Sequence, residues 1–501
     1  MSDVLALPHA PRWDDVFELE IARLDGKGLG VADVRATVGP DTTKTRRFRF
    51  LVRQALPGER VVARVVSRHR DEVEAVVQTL LAPSPDRVAP RCAHVGPRDE
   101  PEKGCGGCTL QTLDYPAQLA VKREIVRFAL AKAGVVDVPV NEPRGAGEVF
   151  RYRSKMEFSF GTNRERKLSL GLYPAGWHRD VLRLSECHLV SAFTSRLLPV
   201  VRDLCEAEGY EPYFARKDTG FLRLFTVRES PRTGERLVEL TTTGAETAMS
   251  AAGEVPAGDV ARRVADAVLA FAAAEGARVD SIYWTRQVTA RGARTQLVSE
   301  VLAGAPVYHE ELHLPGGRAL RFGVHPRAFF QPNPRQAEVL AAEVLARLGD
   351  ARVVCDLYCG TGTLGLCVAP FVDEVVGVEL VADAVENAQA NAAANGIENA
   401  TFLAGDVADV LRSDAFGSWA GRVDAALVDP PRAGLMPKAV EHLVALAPAR
   451  VVYVSCNPES LGRDMALLAA AGFVADGPVQ PVDLFPQTHH IESVVLLRRR
   501  A

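Results

Sequence analysis

The stretch that decides the fold is VVCDLYCGTGTLG, at residues 353–365. Its first five residues, 353–357, are mostly apolar and predict a buried strand. Gly360, Gly362 and Gly365 follow with the spacing G-x-G-x-x-G. Glycines at this spacing let the chain turn from a strand into a helix and let its backbone approach a ligand closely. The stretch therefore predicts the ligand-binding loop of an α/β sheet.

The chain around this loop alternates between strand-like and helical segments from about residue 330 onward. Alanine-rich helical segments separate the predicted strands, which are 353–357, 374–378, 401–404, 425–428, 451–454 and 492–496. This alternation is typical of a doubly wound, Rossmann-like parallel sheet. Ligands of such sheets bind outside the carboxyl ends of the strands, so the groups that follow each strand are the candidate site residues.

The first such group is acidic. Glu379 lies nineteen residues after Gly360, at the end of the next predicted strand. An acid at this place can hold the ribose hydroxyls of a nucleotide. The loop and Glu379 fit a nicotinamide dehydrogenase and an S-adenosylmethionine (SAM) enzyme equally well.

Groups at three further strand ends favour SAM. Asp429 begins a DPPR motif, Cys456 lies in an SCNP motif, and Glu492 begins the last predicted strand. Glu492 joins the other two only if its strand runs antiparallel to its neighbours. A thiol, a carboxylate and a SAM-type loop together indicate methylation of uracil at C5. In that chemistry Cys456 adds to C6 as the nucleophile and Glu492 removes the C5 proton as the base.

On these motifs, residues 15–501 resemble the RNA uracil-C5 methyltransferases, in the branch that carries an N-terminal TRAM domain and an iron–sulfur cluster. The motifs that carry the resemblance are FFQPN at 329–333, DLYCGTGT at 356–363, DPPR at 429–432, SCNP at 455–458 and the stretch 485–492. The resemblance implies SAM as cofactor and RNA as partner, with 23S rRNA favoured over tRNA. It assigns Cys456 as nucleophile and Glu492 as base.

The same resemblance implies which residues line the SAM site. They are Gln331, Tyr358, Thr363, Glu379 and Asp429, and Asp406 is expected near the adenine. Thr363 stands where some family members have asparagine.

Nine cysteines are present, an odd number, so they cannot all pair within one chain. A spaced set consists of Cys92, Cys105, Cys108 and the remote Cys187. By spacing alone, a zinc site and a four-thiolate iron–sulfur cluster are equally consistent with this set, whereas a dithiol redox pair needs only the CGGC motif at 105–108. The resemblance favours a [4Fe–4S] cluster held by these four cysteines.

The N-terminal part predicts a small antiparallel, OB-like barrel. Short strand-like runs at 17–21, 48–52, 59–66 and 72–77 are separated by turns. Basic residues are frequent in 44–70 and are interleaved with Phe48 and Phe50, which suits contact with phosphates and exposed bases. By resemblance this barrel is a TRAM domain, and the basic run 151–155 lies along RNA.

Five regions follow from these patterns. They are a tail at 1–14, the barrel at 15–82, a cysteine-rich segment at 83–120, a mixed α+β domain at 121–325 that supplies Cys187, and the SAM-dependent methyltransferase domain at 326–501.

The composition of the 501 residues limits the class of protein. It is 47% hydrophobic and 24% charged, which excludes a disordered or a disulfide-stapled protein. Neither a signal peptide nor an apolar run long enough for a membrane is visible, so we expect a cytoplasmic protein without membrane contact. We also expect a monomer. The net charge of −4 argues against nucleic acid as a whole-chain sum, yet the basic residues are concentrated in 44–70 and 151–155.

Three alternatives remain open on the sequence. A cytosine-C5 methyltransferase would normally add a second cysteine in a Thr-Cys motif, which is not found. A nicotinamide oxidoreductase would leave Cys456, Glu492 and the cysteine set without a role. A non-catalytic RNA-binding protein would not be expected to keep both Cys456 and Glu492.

Overall fold

The computed structural model describes residues 6–37, 44–97, 100, 102–289 and 295–500. The strands, numbered in chain order, are β1 (Ala6–Leu7), β2 (Val16–Glu20), β3 (Arg23–Leu24), β4 (Gly30–Thr37), β5 (Thr45–Arg53), β6 (Arg60–His69), β7 (Glu72–Ala82), β8 (Lys155–Thr162), β9 (Leu168–Gly171), β10 (Leu222–Glu229), β11 (Arg236–Thr243), β12 (Thr247–Ser250), β13 (Gly253–Pro256), β14 (Ser281–Val288), β15 (Gln296–Gly304), β16 (Tyr308–His313), β17 (Ala319–Val324), β18 (Val353–Leu357), β19 (Glu374–Glu379), β20 (Ala400–Ala404), β21 (Ala425–Val428), β22 (Arg450–Ser455), β23 (Phe473–Ala475), β24 (Gln480–Val482) and β25 (Glu492–Arg499).

The α-helices are α1 (Tyr115–Lys132), α2 (Ala192–Ala207), α3 (Ala257–Ala274), α4 (Pro334–Leu348), α5 (Thr363–Val368), α6 (Ala382–Ala394), α7 (Val407–Val410), α8 (Pro437–Leu446) and α9 (Pro458–Ala470). Within the residues described, no helix is long and apolar enough to cross a membrane.

The C-terminal part is the predicted doubly wound sheet. Its strand order is β20-β19-β18-β21-β22-β25-β23, and β24 pairs with β25. Strands β18 to β22 run parallel, whereas β25 is antiparallel to β22. The condition that the sequence set for Glu492, an antiparallel last strand, is therefore met. Ser455 pairs with Ser493 in this register, which places the next residue of each strand end, Cys456 and Glu492, at the same edge.

Two apolar cores cover the two faces of this sheet. Val354 of β18 belongs to one core with Leu340 of α4, and the adjacent Cys355 belongs to the other core with Leu461 of α9. Helix α1 also packs in the second core through Val126. Because α1 crosses residue 120, the predicted boundary between the cysteine-rich segment and the central domain falls inside one helix.

The central part is a six-stranded sheet in the order β15-β14-β11-β10-β8-β9, in which β11 and β14 are parallel and the other neighbours antiparallel. Helices α2 and α3 bury their apolar faces against it through residues such as Leu197 and Val264. The mixed α+β character predicted for this region is confirmed.

The N-terminal sheet has the order β1-β4-β5-β7-β6-β2, with β3 paired to β4. It is not wholly antiparallel as predicted, because β7 returns from the β6–β7 hairpin in the same direction as β5, and β1 lies parallel to β4. Strand β1 belongs to the predicted tail, where Leu7 supplies a buried side chain to the core of this sheet.

The phenylalanines of β5 do not fit the expectation that they contact exposed bases. Phe48 and Phe50 are fully buried, because alternate residues of the strand point into the core. They therefore offer no exposed ring to a nucleic-acid base. The guanidinium of Arg68 lies 5.0 Å above the Phe48 ring and covers it from outside.

Candidate active site

A cavity of about 1050 Å³ opens at the carboxyl ends of β18, β19, β21 and β22. It is at the upper end of the range for small-ligand sites and has room for a nucleoside cosubstrate together with one base. The structure brings all seven predicted catalytic and SAM-site residues together in its lining. They are Gln331, Tyr358, Thr363, Glu379, Asp429, Cys456 and Glu492. Asp406 lines the same cavity.

The glycine loop is held in a left-handed conformation at the cavity wall. Tyr358, Gly360 and Gly362 all have positive φ angles, of 63°, 55° and 71°. A Cβ atom on Gly362 would lie 2.8 Å from the Phe402 ring, so the loop needs glycine there for space as well as for conformation. The loop thus stays close to the sheet and leaves the cavity open.

Glu379 is fixed against this loop. Its carboxylate accepts hydrogen bonds from the backbone N–H of Gly360 at 3.1 Å and of Val381 at 2.9 Å. These two bonds orient the carboxylate at the end of β19, which is the place where an acid can hold ribose hydroxyls.

Asp356 is a site residue that the sequence reasoning did not single out. It is buried at the end of β18, and its Oδ2 has no hydrogen-bond partner within the described residues. Burial first, and then the neighbouring Asp429 carboxyl, raise the pKa of Asp356 to about 8. An unpaired acceptor beside a cavity fits a ligand that donates hydrogen bonds or carries positive charge, as the amino acid and sulfonium parts of SAM do. Its signal in the sequence is the lone acid within the apolar run 353–357.

The loop that carries Gln331 is anchored from two sides. Thr361 donates a hydrogen bond from Oγ1 to the carbonyl oxygen of Phe329 at 3.1 Å. On the other side, the buried Arg228 of β10 donates to the carbonyl oxygens of Pro326 at 2.8 Å and Ala328 at 2.6 Å. The central sheet therefore helps to place Gln331 in the cavity.

The thiol and the acids at the base of the cavity have shifted pKa values. Burial, and then the carboxyls of Glu492 and Asp429, raise the pKa of Cys456 to about 12. Burial and then Asp429 raise the pKa of Glu492 to about 8, and burial raises that of Asp429 to about 6. Near neutral pH the Cys456 side chain is therefore a thiol, because it is buried beside two acids.

Arg432 supplies the opposing charge. Its guanidinium lowers the pKa of both Cys456 and Glu492, against the larger effect of burial. The Arg432 Nη2 lies 3.3 Å from His490 Nδ1. Burial and the neighbouring charges lower the pKa of His490 to about 3, so the ring is neutral and can accept this hydrogen bond. His490 is a second site residue that sequence reasoning missed.

The four predicted cluster ligands lie together elsewhere. Cys92, Cys105, Cys108 and Cys187 line one small cavity between the cysteine-rich segment and the start of α2. Burial raises the pKa of all four thiols, and that of Cys105 reaches about 12. As they stand, no three histidine, cysteine or acidic side chains in the described ranges are arranged to hold a metal ion. The donor set of four facing thiols nevertheless suits a thiolate-bound centre.

Comparisons with known proteins agree with the site. A family model described as tRNA (Uracil-5-)-methyltransferase matches residues 287–500. An uncharacterized RNA methyltransferase of Caldanaerobacter subterraneus subsp. tengcongensis is 33% identical over 488 residues, which are 97% of this chain and 99% of the relative. The chain belongs to the RNA 5-methyluridine (m5U) methyltransferase family. A further RNA methyltransferase, from Gloeobacter violaceus, is 36% identical over 455 residues and covers 90% of this chain and 91% of its own.

A solved structure extends the comparison to the whole m5U methyltransferase fold. The Pyrococcus abyssi tRNA (uracil-54, C5)-methyltransferase, in complex with S-adenosyl-L-homocysteine, has a TM-score of 0.68 and 26% identity. The match covers 96% of this chain and 100% of that one. This m5U methyltransferase is therefore a SAM-dependent RNA uracil-C5 methyltransferase, as the sequence motifs predicted.

Proposed function

We propose that this enzyme methylates C5 of one uridine in a structured RNA through a covalent adduct between Cys456 and C6 of the uracil. The observation that carries the proposal is the adjacency of Cys456 and Glu492. They follow and precede the paired residues Ser455 and Ser493 of β22 and β25, and both line the cavity of the glycine loop.

The chemistry follows from the groups at this edge. The Cys456 sulfur, after releasing its proton to solvent, adds to C6, and the electron pair of the C5–C6 double bond moves onto C5 and the adjacent carbonyl. Bound SAM would supply a methyl group to C5, with cleavage of its sulfonium S–CH3 bond and release of S-adenosylhomocysteine. Glu492 removes the remaining C5 proton, the double bond reforms, and the sulfur of Cys456 leaves C6. Arg432 favours the anionic thiolate on which the first step depends.

For the cofactor we propose that Gln331, Tyr358, Thr363, Glu379 and Asp429 contact SAM, and that Asp356 joins them. The support is their common cavity, the fixed carboxylate of Glu379 and the unpaired Oδ2 of Asp356. A cation bound beside buried acids stabilises their ionised forms.

For the RNA we propose an unpaired loop uridine, because the base must leave any stack before a thiol can reach C6. Phe329 lines the cavity and is 67% exposed, so its ring is available for stacking on a base. The N-terminal sheet is proposed to act as a TRAM-type RNA-binding module through its exposed basic residues, of which Arg47 is an example.

The cysteine-rich segment is proposed to hold a [4Fe–4S] cluster on Cys92, Cys105, Cys108 and Cys187. Their shared cavity supports this proposal, and so does the resemblance to the cluster-bearing branch. That resemblance also favours 23S rRNA as substrate. tRNA is the second candidate, because the family model and the Pyrococcus abyssi enzyme are both named for tRNA.

A gene deletion tests class and substrate together. Nucleosides of the 23S rRNA and tRNA of a deletion strain are mapped by mass spectrometry, and complementation with the wild-type gene is the control. We expect one 5-methyluridine to disappear from 23S rRNA and to return on complementation. Loss from tRNA alone would reassign the substrate, and unchanged 5-methyluridine in both RNA pools would contradict the proposed function.

A further inference from the structure

Three distant parts of the chain meet at Thr109 and His489. The Thr109 hydroxyl accepts a hydrogen bond from the backbone N–H of His489 at 3.0 Å, and its Oγ1 lies 3.1 Å from His489 Nδ1. Gly28, in the turn before β4, closes the contact from the N-terminal sheet. A Cβ atom on Gly28 would lie 3.2 Å from the Thr109 side chain and 3.3 Å from the His489 Cβ.

His489 belongs to the catalytic turn, which we define as residues 483–491 between β24 and Glu492. Residues of the cysteine-rich segment and of α1 also hold this turn. Leu110 donates its N–H to the carbonyl oxygen of Gln487 at 3.0 Å. The Gln118 side chain donates to Gln487 Oε1 and accepts from the backbone N–H of Gln487, each at 3.0 Å. At its start, Asp483 forms a fully buried ion pair with Lys122, with 2.6 Å between Nζ and Oδ1. The catalytic turn is thus shaped by partners outside the methyltransferase sheet.

The turn positions two groups of the active-site cavity, Glu492 directly and Arg432 through His490. Glu492 follows it directly as the first residue of β25. His490 lies inside it, with its ring centroid 4.1 Å from that of His489, and accepts the hydrogen bond from Arg432. A displacement of His489 therefore moves both the proposed base and the cation that acts on Cys456.

We propose that Thr109 is a positioning residue for methyl transfer: its hydroxyl, held between Gly28 and His489, fixes the catalytic turn so that Glu492 and Arg432 face Cys456. The proposal rests on the covalent mechanism proposed above. It links the cysteine-rich segment to the active site through the catalytic turn, since Thr109 follows Cys108 in the chain.

The first test replaces the hydroxyl by a methyl group in T109V. The control is T112V, in the same segment, because the Thr112 side chain is buried and its hydroxyl makes no hydrogen bond within the described residues. RNA from the deletion strain is the substrate. We measure kcat for 5-methyluridine formation, Kd for SAM, and the amount of denaturant-resistant protein–RNA adduct.

We expect T109V to lower kcat about tenfold, the scale of one half-buried hydrogen bond lost, with an unchanged Kd for SAM. The adduct should accumulate, because a misplaced base slows proton removal after addition. T109S should restore turnover, and T112V should behave as wild type. Equal kcat and equal adduct in T109V and T112V would overturn the proposal.

A second pair of variants keeps the test decisive if T109V does not fold. G28A and G58A both place alanine at a positive φ, of 76° and 80°, in the N-terminal sheet region, but a Cβ on Gly58 has nothing within 4 Å. We expect adduct accumulation in G28A and none beyond wild type in G58A. Equal amounts of adduct in G28A and G58A would overturn the role proposed for the contact between Gly28 and Thr109. By contrast, a wild-type enzyme that makes neither adduct nor 5-methyluridine would refute the proposed function itself.

Discussion

Burial destabilises the ionised forms of the acidic residues in the cavity, and a cationic ligand would stabilise those forms. Asp356, Asp429 and Glu492 are buried, and burial raises the pKa of each carboxyl to between about 6 and about 8. Without a bound cation beside them, these acids are partly protonated near neutral pH, even with Arg432 close to Glu492. A sulfonium ligand would favour their ionised forms, so the same ligand that brings the methyl group would also prepare Glu492 to act as a base.

The clearest prediction at the residue scale concerns Glu492. In E492Q the amide cannot take the C5 proton, whereas Cys456 can still add to C6 and C5 can still take the methyl group. We expect a denaturant-resistant protein–RNA adduct and a loss of at least about a hundredfold in kcat, the scale of a missing general base. Gel electrophoresis of the protein–RNA mixture measures the adduct.

The double variant C456A/E492Q is the control for that adduct, since it lacks the sulfur that would form the bond. C456A alone should bind SAM normally and form no 5-methyluridine. Rapid turnover by E492Q, or an adduct that persists in C456A/E492Q, would contradict the assigned roles.

Individual site residues were predictable where they stand beside a motif. The strand-end argument brought Glu379, Asp429 and Cys456 to one edge of the sheet. The resemblance added Gln331, Tyr358 and Thr363, and all six line one cavity with Glu492. The sequence did not indicate a role for Thr109 or His490. Thr109 contacts a residue 380 positions away, and no local pattern encodes a contact of that separation.

At the scale of elements, the hydrophobic periodicity of the sequence predicted those strands that are determined by residues close together in the chain. Each strand of the doubly wound sheet named from sequence is present, because strands buried on both faces are continuous apolar runs. Strand β4 lies outside the strand-like runs named from the sequence, and it begins at Gly30 in a glycine-rich stretch. The parallel pairing of β5 with β7 depends on how a hairpin folds back, which alternation alone does not determine.

The cysteine-rich segment makes an element-scale prediction, because its fourth thiol comes from a different part of the chain. We expect anaerobically purified wild-type protein to absorb broadly near ~400 nm and to contain iron. C187S should lose most of both signals, since three remaining thiolates cannot complete a four-thiolate site. The control is C205S, which removes another buried thiol outside that cavity. Colourless wild-type protein that contains zinc would contradict the cluster.

At the scale of the whole molecule, the regions that the sequence predicts as separate domains contact one another. Helix α1 covers one face of the methyltransferase sheet, and Gln118 and Lys122 of this helix hold the catalytic turn. Arg228 of the central sheet holds the loop before Gln331. The composition could indicate a multi-domain chain, but the geometry of the active site depends on these contacts between regions.

The buried acids also predict how the stability of the whole molecule depends on pH. Burial raises the pKa of Asp356, Glu492 and, outside the active-site cavity, Glu310 to about 8. The folded protein therefore binds these protons more tightly than the unfolded chain, whose carboxyls titrate near pH ~4. The stabilisation is complete below pH ~4 and is lost as the pH rises through about 8, at up to about 1.4 kcal/mol per pH unit for each group.

We expect the melting temperature of the SAM-free protein to fall between pH 7 and 8, above the pKa of ~6.5 of a histidine in the unfolded chain. In that range the lowered pKa values of His325, His489 and His490 add little slope of the opposite sign. E310Q and E492Q should each flatten that slope, because each removes one titrating carboxyl. Saturating SAM should flatten it in wild type and in E310Q, since the cation favours ionised acids in the cavity and leaves Glu310 unaffected. Differential scanning calorimetry measures these slopes. A melting temperature that stays constant or rises over this pH range would show that the acids are already ionised without a ligand, and the electrostatic role given to the cofactor would then be wrong.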